Sequence, residues 1–184
     1  METISAAQKR RLLFFSFAEK ANQLLIYLAV FAATAYFFYW LSPGAILADP
    51  DSFYHAKLAQ LISQDGLVKS FPWFQYTILS NYYTAHHLLY HLLLVPFVKI
   101  LPPLWGIKVS VIFFAALLAV IFVWFLRQFA IKAPLFYWLI FLASSALIFR
   151  LSLVKANSLS LIFLLLGLYA VFKNRPILLF FTSF

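Results

Sequence analysis

The fold class this sequence predicts is an all-α, polytopic bundle of membrane helices, and three observations predict it. Hydrophobic residues make up 65% of the 184 positions and charged residues only 10%, against about half and about a quarter in a soluble domain. Water does not solvate such a surface. A bilayer does, provided each apolar stretch closes its own backbone hydrogen bonds as a helix. Aromatics reach 21%, with 23 Phe and 10 Tyr, which suits lipid-facing helices bordered by interfacial aromatic belts. The basic residues flank apolar runs and form no polar patch, so the net charge of +9 reads as orientation by flanking charge, and nucleic acid is excluded as a partner. Cysteine is absent, which removes disulfides and thiol chemistry.

The opening METISAAQKRRLLFF lacks a small-residue cleavage site behind its apolar core. It reads as a cytoplasmic tail, 1–20, leading into a membrane region, 21–184. The first span covers about 21–42, and Lys9, Arg10, Arg11 and Lys20 before it place the N-terminus in the cytoplasm, in an inner or plasma membrane. Ser42, Pro43 and Gly44 break the helix. A long outer loop, about 43–106, follows.

Within that loop a short helix is expected from Asp51 to Asp65, capped by Asp49, with Pro50 at its first position and Gly66 at its stop. Tyr54, Leu58, Leu61 and Ile62 share one face, while Ser52, Lys57, Gln60 and Gln64 fall mostly elsewhere. That is the pattern of an amphipathic interfacial helix.

The stretch 86–101 is apolar but carries His86, His87, His91, Pro96 and Lys99. It falls short of the roughly 20 residues a crossing needs, so it is either a second interfacial helix or a short span. The interfacial reading is preferred. It keeps Lys57, Lys69, Lys99 and Lys108 in one long outer loop, whereas a crossing puts Arg127, Lys132, Lys173 and Arg175 into short outer loops. Further spans are expected at 107–127, 133–149 and 158–172, with the start of another at 176–184 and a short outer loop at 150–157.

Carboxylates are scarce. Only Glu2, Glu19, Asp49, Asp51 and Asp65 occur, so carboxylate chemistry falls to the stretch 49–65. Two carboxylates two positions apart can share a divalent cation, or one can serve as a general base. His55 stands one helical turn from Asp51. Capping the helix and complementing its dipole accounts for the same aspartates. His86 and His87, with His91 a turn beyond, are a possible ligand set or plain interfacial polar residues. Arg150, Lys155 and Asn157 suit the phosphate of a lipid carrier, or ordinary interfacial anchoring.

The order of elements and the motif Asp51-Ser52-Phe53-Tyr54-His55-Ala56-Lys57 resemble the GT-C class of polytopic glycosyltransferases, most of all the catalytic subunit of oligosaccharyltransferase. In that family the first outer loop carries an Asp, then aromatics, an Asn or His, and a basic residue. Gly66, Phe71-Pro72-Trp73-Phe74 and Tyr90 to Phe97 are similar to elements further along that loop. Gln75 stands where the family has an acid, and 150–157 offers only Asn157 where the family has acidic ligands. The resemblance covers roughly the first 175 residues and implies the N-terminal part of a longer enzyme.

The resemblance implies transfer of a sugar or oligosaccharide from a polyprenyl-phosphate donor at the outer membrane face. Asp51 would be catalytic or metal-binding with Asp49 as helper, and the cofactor a Mg or Mn ion on Asp51 and Asp49, with His86 or His87 as further ligands. Arg150, His55, Lys57 and Asn157 would bind the substrate phosphate. The rival expectation is a non-catalytic polytopic membrane protein: a transporter piece, an assembly subunit or a degenerate glycosyltransferase.

Overall fold

A computed structural model describes residues 6–41, 44 and 49–183, with the backbone alone for 6–18. Among them the chain is all-helical: α1 (Ala6–Leu41), α2 (Asp51–Asp65), a 3-10 turn (Ile78–Ser80), α3 (Leu88–Ile100), α4 (Pro103–Gln128), α5 (Pro134–Ala143), α6 (Ser145–Ser152), α7 (Asn157–Phe172) and α8 (Pro176–Thr182). The expected helical membrane bundle is the fold. Two helices, Glu19–Leu41 within α1 and Pro103–Gln128, are long and apolar enough to cross a membrane.

The central helix is α4, which packs against α1, α2, α3, α5, α6 and α7. Its small residues allow this. Ala115, Ala116 and Ala119 are fully buried, and small side chains let helix axes approach closely in an apolar bundle. Phe38 of α1 and Leu151 and Ile162 from later helices pack on Ala115 and Leu118. Val30 meets Ala119 and Val123.

Two cation–π pairs set the direction of α1. The Arg127 guanidinium lies 5.3 Å over the Tyr27 ring and the Lys108 ammonium 5.1 Å over Tyr39, so α1 runs antiparallel to α4. Lys173 lies 5.1 Å over Phe129, so α7 ends where α4 ends. Arg127 and Lys173 thus lie at one end of the bundle, and at the opposite end Lys108 donates to the Gly44 carbonyl. Between Lys108 and Arg127 the helix rises about 28 Å at 1.5 Å per residue, close to the ~30 Å of a hydrocarbon core.

Two boundaries differ from the sequence expectation. The helix α1 begins at Ala6, so the tail is largely helical: Ala, Gln, Lys, Arg and Leu are strong helix formers with no Gly or Pro among them. The expected break at 42–43 lies outside the described residues, as do 1–5. The expected span 133–149 is two helices, α5 and α6, bent by 76°. The bend falls at Ser144, whose φ of −80° and ψ of 101° are extended, and paired serines are a recognised cause of kinks.

The helices α2 and α3 form a layer over the first half of α4. Leu94 and Val98 of α3 share a core cluster with Ile107, and Tyr90 shares it with Phe114. At 13 residues, α3 is about 20 Å long, short of a hydrocarbon core. Its approach to α4 requires Gly106, where a Cβ would lie 2.5 Å from the Phe97 carbonyl oxygen. The buried face of α2 is Ser52, His55, Ala56, Leu58, Ala59 and Ile62. Leu58 and Ile62 are on it as expected. Ser52 is also on it, because its hydroxyl is used internally.

Candidate functional site

The site is built at the start of α2. Pro50 already has helical angles, φ −62° and ψ −32°. Asp49 Oδ1 accepts hydrogen bonds from both Ser52 N–H and Ser52 Oγ, each 2.8 Å. The side-chain bond to the amide three residues on is the signature of an N-cap, so Asp49 caps α2 as the sequence indicated. Gly66 ends the helix with φ +80°, a conformation glycine adopts without a Cβ penalty.

The cap leaves Asp49 Oδ2 buried with no hydrogen-bond partner. Facing it is the Lys155 ammonium at 3.7 Å, which also pairs with Asp51 at 2.8 Å. Lys155 lies between α6 and α7. Leu153 and Val154 are buried beside it, and its own N–H donates to the Leu153 carbonyl at 2.8 Å. The short loop is thereby pinned at the acidic motif. The hydrogen bond from Lys155, and then its charge, hold the Asp51 carboxyl below its ordinary value. The same bond raises Lys155 above its own.

Behind this pair lies a buried pair of imidazoles. His55 Nδ1 and His91 Nε2 are 2.8 Å apart in a buried hydrogen bond, and His91 is fully buried. Its other ring nitrogen, Nδ1, is buried without a partner. Burial holds both rings below the ordinary imidazole range, His91 at about 4. Around them, Tyr54 packs on both rings and hydrogen-bonds through its hydroxyl to Tyr83. Tyr90 stands edge-on to His55, and its phenol is raised by burial and by the charge of Asp49.

A cavity of about 460 Å³ opens over these groups. Asp51, Tyr54 and His55 come to it from α2, His86 and His87 from the segment before α3, and Lys155, Asn157 and Ser160 from the other side. Of the residues the sequence singled out, Asp51, His55, His86, His87, Lys155 and Asn157 therefore share one cavity. Asp49 sits just behind it. Lys57 is exposed on α2 and Arg150 is exposed on α6, and neither is in the lining. Arg150 contributes its carbonyl, which accepts from Asn157 Nδ2 at 3.0 Å.

The expected divalent cation meets a donor set already in use. Asp49 Oδ1 serves the cap, and Asp49 Oδ2 and Asp51 Oδ2 face the Lys155 ammonium. Among the described residues no three His, Cys, Asp or Glu side chains gather as a metal site, whereas Mg²⁺ demands near-ideal octahedral oxygen coordination. The residues present do not fit such an ion.

Sequence reasoning paired His91 with His87 at one-turn spacing. The structure pairs it with His55 instead, and His87 gives His91 only its backbone carbonyl, at 3.0 Å. A signal existed: His55 is in register with Ser52, Ala59 and Ile62, and His91 with Leu94 and Val98, both buried stripes at helical period. Comparison with protein-family models, with curated proteins and with solved structures finds no match to this chain.

Proposed function

We propose that this chain belongs to a membrane glycosyltransferase that takes a sugar or oligosaccharide from a polyprenyl-phosphate donor at the outer face of the membrane. The observation that carries the reading is the Asp51–Lys155 ion pair. It joins an acidic motif and a basic loop from distant parts of the chain in one polar cavity at one end of an apolar bundle.

In this reading the chain crosses the membrane several times. The end with Arg127 and Lys173 is cytoplasmic, as the bias of basic residues in short loops requires, and the cavity opens outside. A donor phosphate entering the cavity meets the Lys155 ammonium and the Asn157 amide. Fixed positive charge and hydrogen-bond donors aimed at a departing phosphate lower the barrier to breaking its bond to the sugar. Asp51 holds Lys155 in place until the phosphate arrives. The transmembrane helices keep a lipid-borne donor within reach of the site.

Two measurements test this. The chain has no native cysteine, so single cysteines at Lys57, which is exposed on α2, and at Lys99, Lys132 and Ser152 report topology. Labelling from outside at 57, 99 and 152, with 132 protected, is the expected pattern, and protection of 152 from outside removes the shared outer site. In membranes that support transfer from a polyprenyl-phosphate donor, Asp51→Ala is expected to abolish it, and full retained activity takes Asp51 out of the mechanism.

A further inference from the structure

We infer that His55 is the proton acceptor of this cavity, presenting its Nε2 to the incoming acceptor group, and that buried His91 is the positioning residue that holds it there. The inference rests on the glycosyl-transfer reading and names the group that carries out its proton transfer.

The geometry comes first. His55 is 6% exposed and lines the cavity. Its Nδ1 is engaged by His91 Nε2 at 2.8 Å, so Nε2 is the ring nitrogen left for the cavity. In the tautomer assigned by this proposal, His55 Nδ1–H donates to His91 Nε2, whose own proton sits on the buried Nδ1; the His55 Nε2 lone pair is then free to take a proton, and the resulting imidazolium already has its Nδ1–H placed. No bond in the pair has to be remade. A partner behind the base that fixes its tautomer and its ring orientation is the usual means of readying an imidazole.

Asp51 is the less suitable base. Its carboxylate is bound to Lys155 at 2.8 Å, and a carboxylate stabilised as the anion gives up basicity. Its charge serves His55 instead. Four neighbouring charged or titratable groups bear on the ring. Burial and the charge of His87 keep His55 unprotonated before reaction, while Asp51 and Asp49 favour the cation once formed and Lys155 opposes it. Tyr54 and Tyr90 wall the ring on two sides.

The acceptor's hydroxyl or amide proton passes to His55 Nε2, and the acceptor heavy atom bonds to the anomeric carbon. The bond from that carbon to the phosphate oxygen breaks, and the lipid phosphate departs with the electron pair beside Lys155.

The test uses the full chain in detergent with diethyl pyrocarbonate, which carbethoxylates unprotonated, accessible imidazole nitrogen. Peptide mass spectrometry reads each histidine separately. At neutral pH His55 is expected to be labelled and His91 spared. A folded protein in which His55 resists labelling overturns the proposal. His91→Phe, which removes the acceptor for Nδ1–H, is expected to slow labelling of His55, and His91→Gln, which keeps an acceptor, to restore it. Equal rates in all three overturn the positioning role.

In the transfer assay, His55→Gln is expected to lower kcat by about 10²–10⁴, the usual range for loss of a general base, with the KM for donor unchanged. Full activity of His55→Gln, alongside an inactive Asp51→Asn, assigns the base to Asp51 and overturns the proposal. Absence of transfer from every donor by the parent protein sinks the glycosyl-transfer reading, and with it the catalytic role, while the labelling still decides the geometry of the pair.

Discussion

The carboxylate of Asp51 lies 2.8 Å from the ammonium of Lys155, and this one pair ties the start of α2 to the turn between α6 and α7. Both residues are substantially open to solvent, with side-chain exposures of 63% and 37%. Exposed pairs of this kind add little to stability. The arrangement matters through what it places in the cavity.

That distinction is testable by exchanging the charges. If the pair only clasps two segments together, Asp51→Lys with Lys155→Asp restores whatever each single change loses. The phosphate-binding role predicts otherwise. Both single variants and the exchange are expected to remain folded by gel filtration in detergent; Lys155→Asp and the exchange lose donor binding, because both remove the cation from beside Asn157, whereas Asp51→Lys, which keeps Lys155, retains it.

The imidazole pair makes stability depend on pH. In the unfolded chain both histidines protonate near 6.5, whereas in the folded protein burial holds both lower, His91 at about 4. Between these values the unfolded state binds more protons, so folding stability rises with pH there. Stability is complete above about 6.5 and declines as the pH falls towards 4. Asp51, lowered by Lys155, adds a loss in the same direction below its ordinary carboxyl range. Unfolding in detergent at pH 7, 5.5 and 4.5 is expected to show a falling midpoint, with a shallower slope for His91→Phe. Identical midpoints across that range contradict a buried neutral pair.

The cap on α2 separates from the charge of its side chain. Asp49→Ala removes both bonds from Ser52 and is expected to cost about 1 kcal/mol, within the 0.5–2 kcal/mol range for N-caps. Asp49→Asn keeps an acceptor oxygen while neutralising the group that faces Lys155. Asparagine as damaging as alanine in a chemical unfolding series argues that the ion pair, and not the cap, is what Asp49 contributes.

Gly106 offers a test of the layer that carries the histidines. An added Cβ would sit 2.5 Å from the Phe97 carbonyl oxygen and 2.8 Å from its carbon. These are backbone atoms and do not swing aside as a side chain does. Gly106→Ala is expected to push α3 from α4 and to destabilise by about 1–3 kcal/mol, the range for overpacking. It also displaces His91, so labelling of His55 changes with it. A variant of unchanged stability refutes the close packing.

Much of this protein was legible in the one-dimensional pattern. Composition determined the helical membrane class, because no polar solvent tolerates 65% apolar residues and a bilayer admits few backbone solutions. Local chemistry determined α2: an aspartate cap, a proline at the first position and a glycine at the stop act within a few residues. The scarcity of carboxylates pointed to Asp49 and Asp51 in the same way. What only the tertiary structure decided are the partners. Lys155 meets Asp51, and His55 meets His91 in place of the nearer His87, because burial against α4 selects which helix faces turn inward. The break of the 133–149 stretch at Ser144 was likewise missed, since a pair of serines inside an apolar run permits a kink but is equally compatible with a straight helix. Sequence spacing ranks local partners, whereas packing brings distant ones within hydrogen-bonding distance, and the chemistry of this cavity belongs to the second kind.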